Sequence, residues 1–458
     1  MNMPVGLAPP VEGKATLTAY LEAGQKPPEA WRIGTEHEKF GYDLNTLRPI
    51  PYDGLAGIQA VLESLAERFG WRRVIENDNV VELKLGGQSI TLEPGGQLEL
   101  SGAPLQTLHE TCTEVNDYLR QVKAVAEDLG VGFFGAGFQP KWALPDIPRM
   151  PKARYHFMES YMPLVGTRGL DMMFRTATVQ VNLDYGSESD MVKKFRVALA
   201  LQPVATALFA NSPFIEGRPS GYLSTRAATW LDTDPARTGV PEFVFEDGMG
   251  YERYTDWAID VPMYFVSRGS KQINVGGQTF RDFLEGQLVA LPGERPSLAD
   301  WEQHLGRLFP EVRMKRFLEM RGADAGKWEH VCALPSLWVG LLYDSTSLDG
   351  AWDLVKHWSA EDRTRLASEV PRKALGAAVP AGGPGPTVGD LATIVVELAE
   401  EGLRRRSRLS SQGSTESRYL EAIHSVLDSG RTPAEELLAL YHGRWNGSVD
   451  PLFTEFAH

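Results

Sequence analysis

Between residues 79 and 102 apolar and polar positions alternate, "NVVELKLGGQSITLEPGGQLELSG", with turn residues at Gly86-Gly87 and Pro94-Gly95-Gly96. Period-two alternation interrupted by glycine pairs predicts a three-strand antiparallel meander. Further strands are expected in "WRIGTEHEKFGYDL" (31–44), "GFFGAGFQP" (132–140), "ATVQVNLDY" (177–185), "DVPMYFV" (260–266) and "VRMKRFLEMRG" (312–322). Elsewhere the period lengthens. In "DGLAGIQAVLESLAERFG" (53–70), Leu55, Ile58, Leu62, Leu65 and Phe69 repeat at helical spacing behind Asp53 as cap. Residues 105–129 place Leu108, Cys112, Val115, Leu119, Val122 and Leu129 on one helix face, and 189–210 read as a helix kinked at Pro203. From about 350 onward the pattern is mostly helical. The Pro-rich residues 1–30 are expected to wrap the surface. "VPAGGPGPTVGD" (379–390) divides a larger unit, 1–378, from a helical segment, 379–458, packed on the same unit. Hairpin-joined strands with helices around them predict an α+β fold with a largely antiparallel sheet.

Splitting each strand into its two faces exposes a chemical pattern. Glu36 and Glu38 share a face, as do Gln97 and Glu99. Thr178, Gln180, Asn182 and Asp184 share another, and Lys315, Phe317, Glu319 and Arg321 a fourth. A solvated sheet face would explain any one of them. Yet solvated faces favour Thr, Lys and Arg, whereas acids and amides recur here. Gly34, Gly41, Gly95, Gly96 and Gly102 cluster beside the acids, where backbone could approach a ligand. Oxygen-only ligand sets suit Mg²⁺ or Mn²⁺. Two glutamates on one strand face repel each other until a divalent cation sits between them. His37 points to the opposite face and fits a core or supporting role.

Composition narrows the field. The 458 residues carry 46 basic and 60 acidic side chains, a net charge of −14, which argues against nucleic-acid and anionic-membrane partners. "VALALQPVATALFA" (197–210) is too short to span a bilayer, and "MNMPVGLAPPVEGK" lacks an apolar leader, so a cytoplasmic location is expected. The two cysteines form no CxxC or Cys/His cluster. "GVGFFG" (130–135) matches GxGxxG but follows a helix and enters a strand, the wrong context for a dinucleotide. GxxxxGK[ST], GxSxG and HExxH are absent, so any ATP is held without a P-loop.

"GTEHEKFG", "GGQLELSG", "RTATVQVNLDY", "TWLDTDPARTG", "DVPMYFV" and "FPEVRMKRFLEMRGAD" occur in this order over about 34–325. Together they resemble the plant and alphaproteobacterial type of glutamate–cysteine ligase. The resemblance implies a glutamine synthetase-like fold, a curved, mainly antiparallel six-stranded sheet forming an open funnel. It implies L-glutamate, L-cysteine and ATP as substrates, Mg²⁺ as cofactor (with Mn²⁺ possible), γ-glutamyl phosphate as intermediate, and a monomer or homodimer. By the same resemblance Glu36, Glu38, Glu93, Glu99, Gln180 and Glu319 are metal ligands, and Arg226 and Arg321 are catalytic. Met173, Phe174, Arg175, Arg237, Trp257 and Trp328 bind substrate, although Arg237 could instead pair with Asp232 or Asp234, and the two tryptophans could be core. Cys112 and Cys332 are implied as a redox-sensitive disulfide. A ligase joining glutamate to another amine, and a metal-dependent hydrolase, are the alternatives.

Overall fold

The computed structural model describes residues 10–269 and 271–457. A nine-stranded sheet runs through it, with every pairing antiparallel. In chain order its strands are β1 (Ile33–Asp43), β2 (Arg72–Glu76), β3 (Asn79–Leu85), β4 (Gln88–Leu92), β5 (Leu98–Ser101), β6 (Val131–Phe134) and β7 (Thr178–Leu183), followed by a hairpin of Val312–Met314 and Leu318–Asp324. β1 is central. Its first half lies between β5 and β7, and its second half pairs with β6.

The resemblance implies six strands and the sheet has nine; two departures from the strands read in the sequence account for part of the difference. β2 pairs with β3 ahead of the meander, so residues 72–101 supply four strands rather than three. Residues 312–322, expected as one strand, fold back at 315–317, which sets Arg313 opposite Glu319. "DVPMYFV" is extended only at its end, where Phe265–Arg268 pairs with Lys271–Asn274 in a separate hairpin.

The helices that matter for the site are α1 (Lys14–Glu22), α2 (Ile58–Phe69), α3 (Leu108–Leu129), α4 (Ala153–Tyr161), α5 (Gly169–Arg175), α6 (Glu188–Leu208) and α7 (Thr225–Trp230). α1 corrects the expectation that the N-terminal 30 residues only wrap the surface; of these, residues 1–9 lie outside the described residues. α2 starts later than expected. Gly54 takes a φ of +105°, which a helix cannot accommodate, so Asp53 caps nothing and Leu55 is 96% exposed. α3 begins with a capping box between Thr107 and Glu110 and ends at Gly130, in the left-handed region. Pro203 lies inside α6, as the sequence suggests.

Leu98, Leu100, Val179, Val181 and Leu183 are buried on the sheet's apolar side, in one core with α3, α6 and the helix Trp328–Leu342. The helix Val388–Arg406 packs onto Trp328–Leu342 and adds Leu391, Val395 and Val396 to that core. β1 also carries Thr35, His37 and Lys39 toward this side, where all three are buried. Lys39 Nζ lies 2.6 Å from His37 Nδ1, and burial pushes the Lys39 amine well below its usual range. Among the described residues no helix is long and apolar enough to cross a membrane.

Candidate active site

The other side of the sheet opens into a pocket of about 470 Å³. Six strands line it: β1 through Glu36 and Glu38, β4 through Thr91, β5 through Glu99 and Ser101, β7 through Thr178 and Gln180, and the hairpin strands through Arg313 and Arg321. Register brings the acids together. Glu38 stands opposite Glu99 across β1 and β5, and Glu36 stands opposite Gln180 across β1 and β7. Like charges directly opposite on one face destabilise a sheet, so this pairing costs stability unless a positive charge offsets it.

The hydrogen bonds reaching these acids come from neutral groups. The Thr178 N–H donates to Glu38 (3.0 Å), the Thr91 hydroxyl to Glu99 (2.7 Å), and the Asn182 and Gln180 amides to Glu36 (2.8 and 3.2 Å). Burial, then the Glu319 and Glu99 charges, push Glu36 up to about 7. Burial and Glu93 push Glu99 to about 7 as well. Burial, Glu99 and Glu93 hold Glu38 well above the usual carboxylate range. Deprotonated at neutral pH, this group holds more negative charge than its surroundings offset. Among the described residues, no three acidic, histidine or cysteine side chains converge closely enough to cage an ion unaided.

Glu319 stands differently. Arg313 pairs with it in a fork (2.7 and 2.9 Å to Nη2), Lys315 lies at 3.2 Å, and Arg321 contacts it directly. Burial alone would raise its carboxyl, but Arg313, Lys315 and Arg321 together hold it below the usual range. Arg321 also donates to Gln180 Oε1, so Gln180 links Arg321 to Glu36. Arg226, at the start of α7, donates to the Arg321 carbonyl (2.6 Å), and its Nε meets no partner among the described residues. Asp324 fixes that end of α7 by accepting from the Ser212 and Ser224 hydroxyls (2.6 and 2.8 Å).

Of the remaining expected residues, Glu93 and Met173 line the pocket. Phe174 lies under the Arg149 guanidinium, 4.2 Å from carbon to ring centroid. Arg175 pairs with Asp171 (2.5 Å) and Glu216 (3.2 Å), and Arg237 is fully buried on Asp234 (2.6 Å) and the Pro262 carbonyl (2.7 Å). These three are outside the pocket lining, and Arg237 follows the pairing its "DTD" loop offers. Trp257 packs on Tyr254 and Phe243, and Trp328 opens the helix Trp328–Leu342 against the core. Both tryptophans are partly buried against the core and lie outside the pocket lining. Cys112 and Cys332 are buried and unbonded. Burial, then the adjacent Cys332 thiol, push the Cys112 thiol well above its usual range.

The glycines beside the acids admit protein rather than ligand. A Cβ on Gly95 would lie 2.3 Å from the Phe174 carbonyl, and one on Gly102 2.3 Å from Glu114 Oε2. The lining also holds Arg154, Tyr155, Phe265 and Arg307, which strand alternation does not point to, and Arg313, which shares the parity of Glu319 and Arg321. A groove of about 530 Å³ on α6, lined by Lys193, Arg196 and Trp352, holds none of the expected residues.

Residues 32–455 match the glutamate-cysteine ligase family 2. The chain is 56% identical over 445 residues to the chloroplastic glutamate–cysteine ligase of Nicotiana tabacum, covering 97% of this chain and 83% of that protein. It is 57% identical over 445 residues to chloroplastic glutamate–cysteine ligase B of Oryza sativa subsp. japonica, covering 97% and 87%. In fold it is similar to the glutamate–cysteine ligase of Francisella tularensis solved in complex with AMP, with a TM-score of 0.51 at 14% identity, covering 93% of this chain and 89% of that one. The cytoplasmic location expected from the sequence is corrected by these relatives, which are chloroplastic by name; lack of an apolar leader, on which the expectation rested, does not separate cytosol from plastid. With a family match from residue 32 to residue 455 and relatives above half identity across 97% of its length, the chain belongs to the glutamate-cysteine ligase family 2.

Proposed function

We infer that the protein joins the γ-carboxylate of L-glutamate to the amine of L-cysteine, using ATP, to give γ-glutamylcysteine, the first step of glutathione synthesis. Family membership carries this reading. A carboxylate is a poor electrophile, and phosphorylation to γ-glutamyl phosphate gives it a leaving group. That step concentrates negative charge where phosphate meets carboxylate, and positive groups must offset it.

The pocket's chemistry supports this reading. Glu36, Glu38, Glu93 and Glu99 suit Mg²⁺ or Mn²⁺, because among the described residues their charges lack direct cationic partners apart from Arg154, 4.0 Å from Glu93. A divalent cation bound there would neutralise phosphate oxygens. Glu319 is better suited to aim Arg313 and Arg321, since its charge is already met. Arg226 and Arg321 would stabilise the transferring phosphoryl group, and Gln180 holds Arg321 in register with Glu36. Met173 would contact substrate. The six lining strands form the wall of the funnel, within the unit 1–378, with 379–458 packed against it. The adjacent Cys112 and Cys332 thiols would close a disulfide on oxidation, which thiol counting under denaturing conditions would detect as a loss of both.

Incubation with Mg-ATP, glutamate and cysteine tests the central reading. ADP release should require both amino acids. Release without cysteine, or with another amine preferred, would overturn the acceptor assignment. Hydrolysis of an ester or amide without ATP would favour a metal-dependent hydrolase.

A further inference from the structure

Arg226, which lines the pocket, is held at both its backbone and its guanidinium through one strand, Leu318–Asp324. That strand ends on a carboxylate buried to 1% exposure. Asp324 accepts from the Ser212 hydroxyl (2.6 Å), the Ser224 hydroxyl (2.8 Å) and the Asn211 N–H (2.9 Å). Each hydroxyl gives its single proton to Asp324 and turns its lone pairs on the first turn of α7. Ser212 Oγ accepts from the Arg226 N–H (3.2 Å), and Ser224 Oγ, at the N-cap, accepts from the Ala227 N–H (3.0 Å). Gly137 makes room, since a Cβ there would collide with the Asp324 carboxyl. At the other end, Arg226 Nη2 donates to the Arg321 carbonyl (2.6 Å), where the register against β7 shifts between Met320 and Ala323.

This clasp needs an acceptor on both sides of residue 324. Oδ2 serves Ser212 and Asn211, and Oδ1 serves Ser224. An amide offers one oxygen and two protons, so one serine would lose the acceptor for its own proton. Capping alone does not require a buried acid: Ser187 caps α6 with the Ser189 hydroxyl beside it. Burial pushes the Asp324 carboxyl up, and the Arg226 cation works against that, so the acid stands close behind the one arginine of α7. The inference rests on the reading that Arg226 meets the transferring phosphoryl group.

We propose that Asp324 is a positioning residue for phosphoryl transfer, which fixes the start of α7 through Ser212 and Ser224 and so aims Arg226 into the pocket. The test is a double-mutant cycle that reads kcat and each KM in wild type, Asp324→Asn, Arg226→Met and the two together. Asp324→Asn should lower kcat about 10- to 100-fold and leave the KM for cysteine within about twofold of wild type. In the Arg226→Met background the same change should cost less than about threefold, because no guanidinium is left to aim. A role in folding alone would lower kcat by the same factor in both backgrounds. That result, or an unchanged kcat in Asp324→Asn, overturns the proposal. If Asp324→Asn does not fold, Ser212→Ala, which removes one hydroxyl of the clasp, carries the same cycle. Near-normal kcat in Arg226→Met removes Arg226 from the reaction and the proposal with it, while the ligase reading stands. If wild type does not ligate glutamate to cysteine, the ligase reading falls. Mg-ATP affinity, measured by calorimetry through the same cycle, then decides the coupling of Asp324 to Arg226, equal losses in both backgrounds overturning it.

Discussion

Two corners of one pocket hold buried acids under opposite conditions. Glu319 meets Arg313, Lys315 and Arg321 at once. Glu38 and Glu99 face each other across a strand pair, with Glu36 beside them, and receive hydrogen bonds only from neutral groups. One corner has more cations than anions, and the other has the reverse. The same residue type therefore does different work. On the proposed reading Glu319 is a strut that aims arginines, whereas Glu36, Glu38 and Glu99 would present negative charge for a cation to meet. A list of conspicuous glutamates treats them alike, and only their neighbours separate them.

Removing the charge tests that separation. Glu319→Gln leaves buried Arg313 and the partly buried Lys315 and Arg321 without their shared partner, and should cost about 3–5 kcal/mol in urea unfolding. A variant as stable as wild type would erase the contrast. Glu38→Gln relieves repulsion with Glu99, so stability should hold or rise while kcat with saturating Mg-ATP falls by about 100-fold or more. Near-normal kcat would remove Glu38 from the cation set.

Glu114 sharpens the comparison, because it is a buried acid that meets neither cations nor other acids among the described residues. It accepts from the Ala103 N–H (3.0 Å), and burial pushes it up to about 7. The folded protein then binds more protons here than the unfolded chain. Stability from this group is present below about 4.5, falls as pH rises toward 7, and stays lower above. Glu114→Gln should add about 1–2 kcal/mol at pH 8 and almost nothing at pH 4. An equal gain at both pH values would show that the effect is packing.

How far the chain could be read follows from what is local. Alternation is local, so Glu36, Glu38, Glu99 and Gln180 could be assigned to one surface before any fold was known. The turn at 315–317 escaped because Lys315-Arg316-Phe317 contains no glycine, proline or asparagine to mark it. Arg313 was therefore separated from Glu319, its partner across the hairpin. Arg154 and Arg307 lie on a helix and in a loop, about 150 residues apart in the chain, and only tertiary packing brings them into one wall. Arg237 was ambiguous for a different reason. Its loop supplies an acid three residues away, and that local pair is present.

β1 carries its meaning in whether a position is odd or even. Glu36 and Glu38 open onto the pocket, while Thr35, His37 and Lys39, the positions between and beside them, enter the core. A one-residue insertion or deletion between Ile33 and Glu36 that kept the strand paired would exchange the two sets. Two carboxylates would be pressed into hydrocarbon, and an amine and an imidazole would meet the ligand. The acidic corner would lose its two β1 carboxylates and gain an amine in their place. Single substitutions along this strand can be compensated by neighbours, but a change in the count cannot, so its length before Glu36 should be the least variable feature among chains sharing this chemistry.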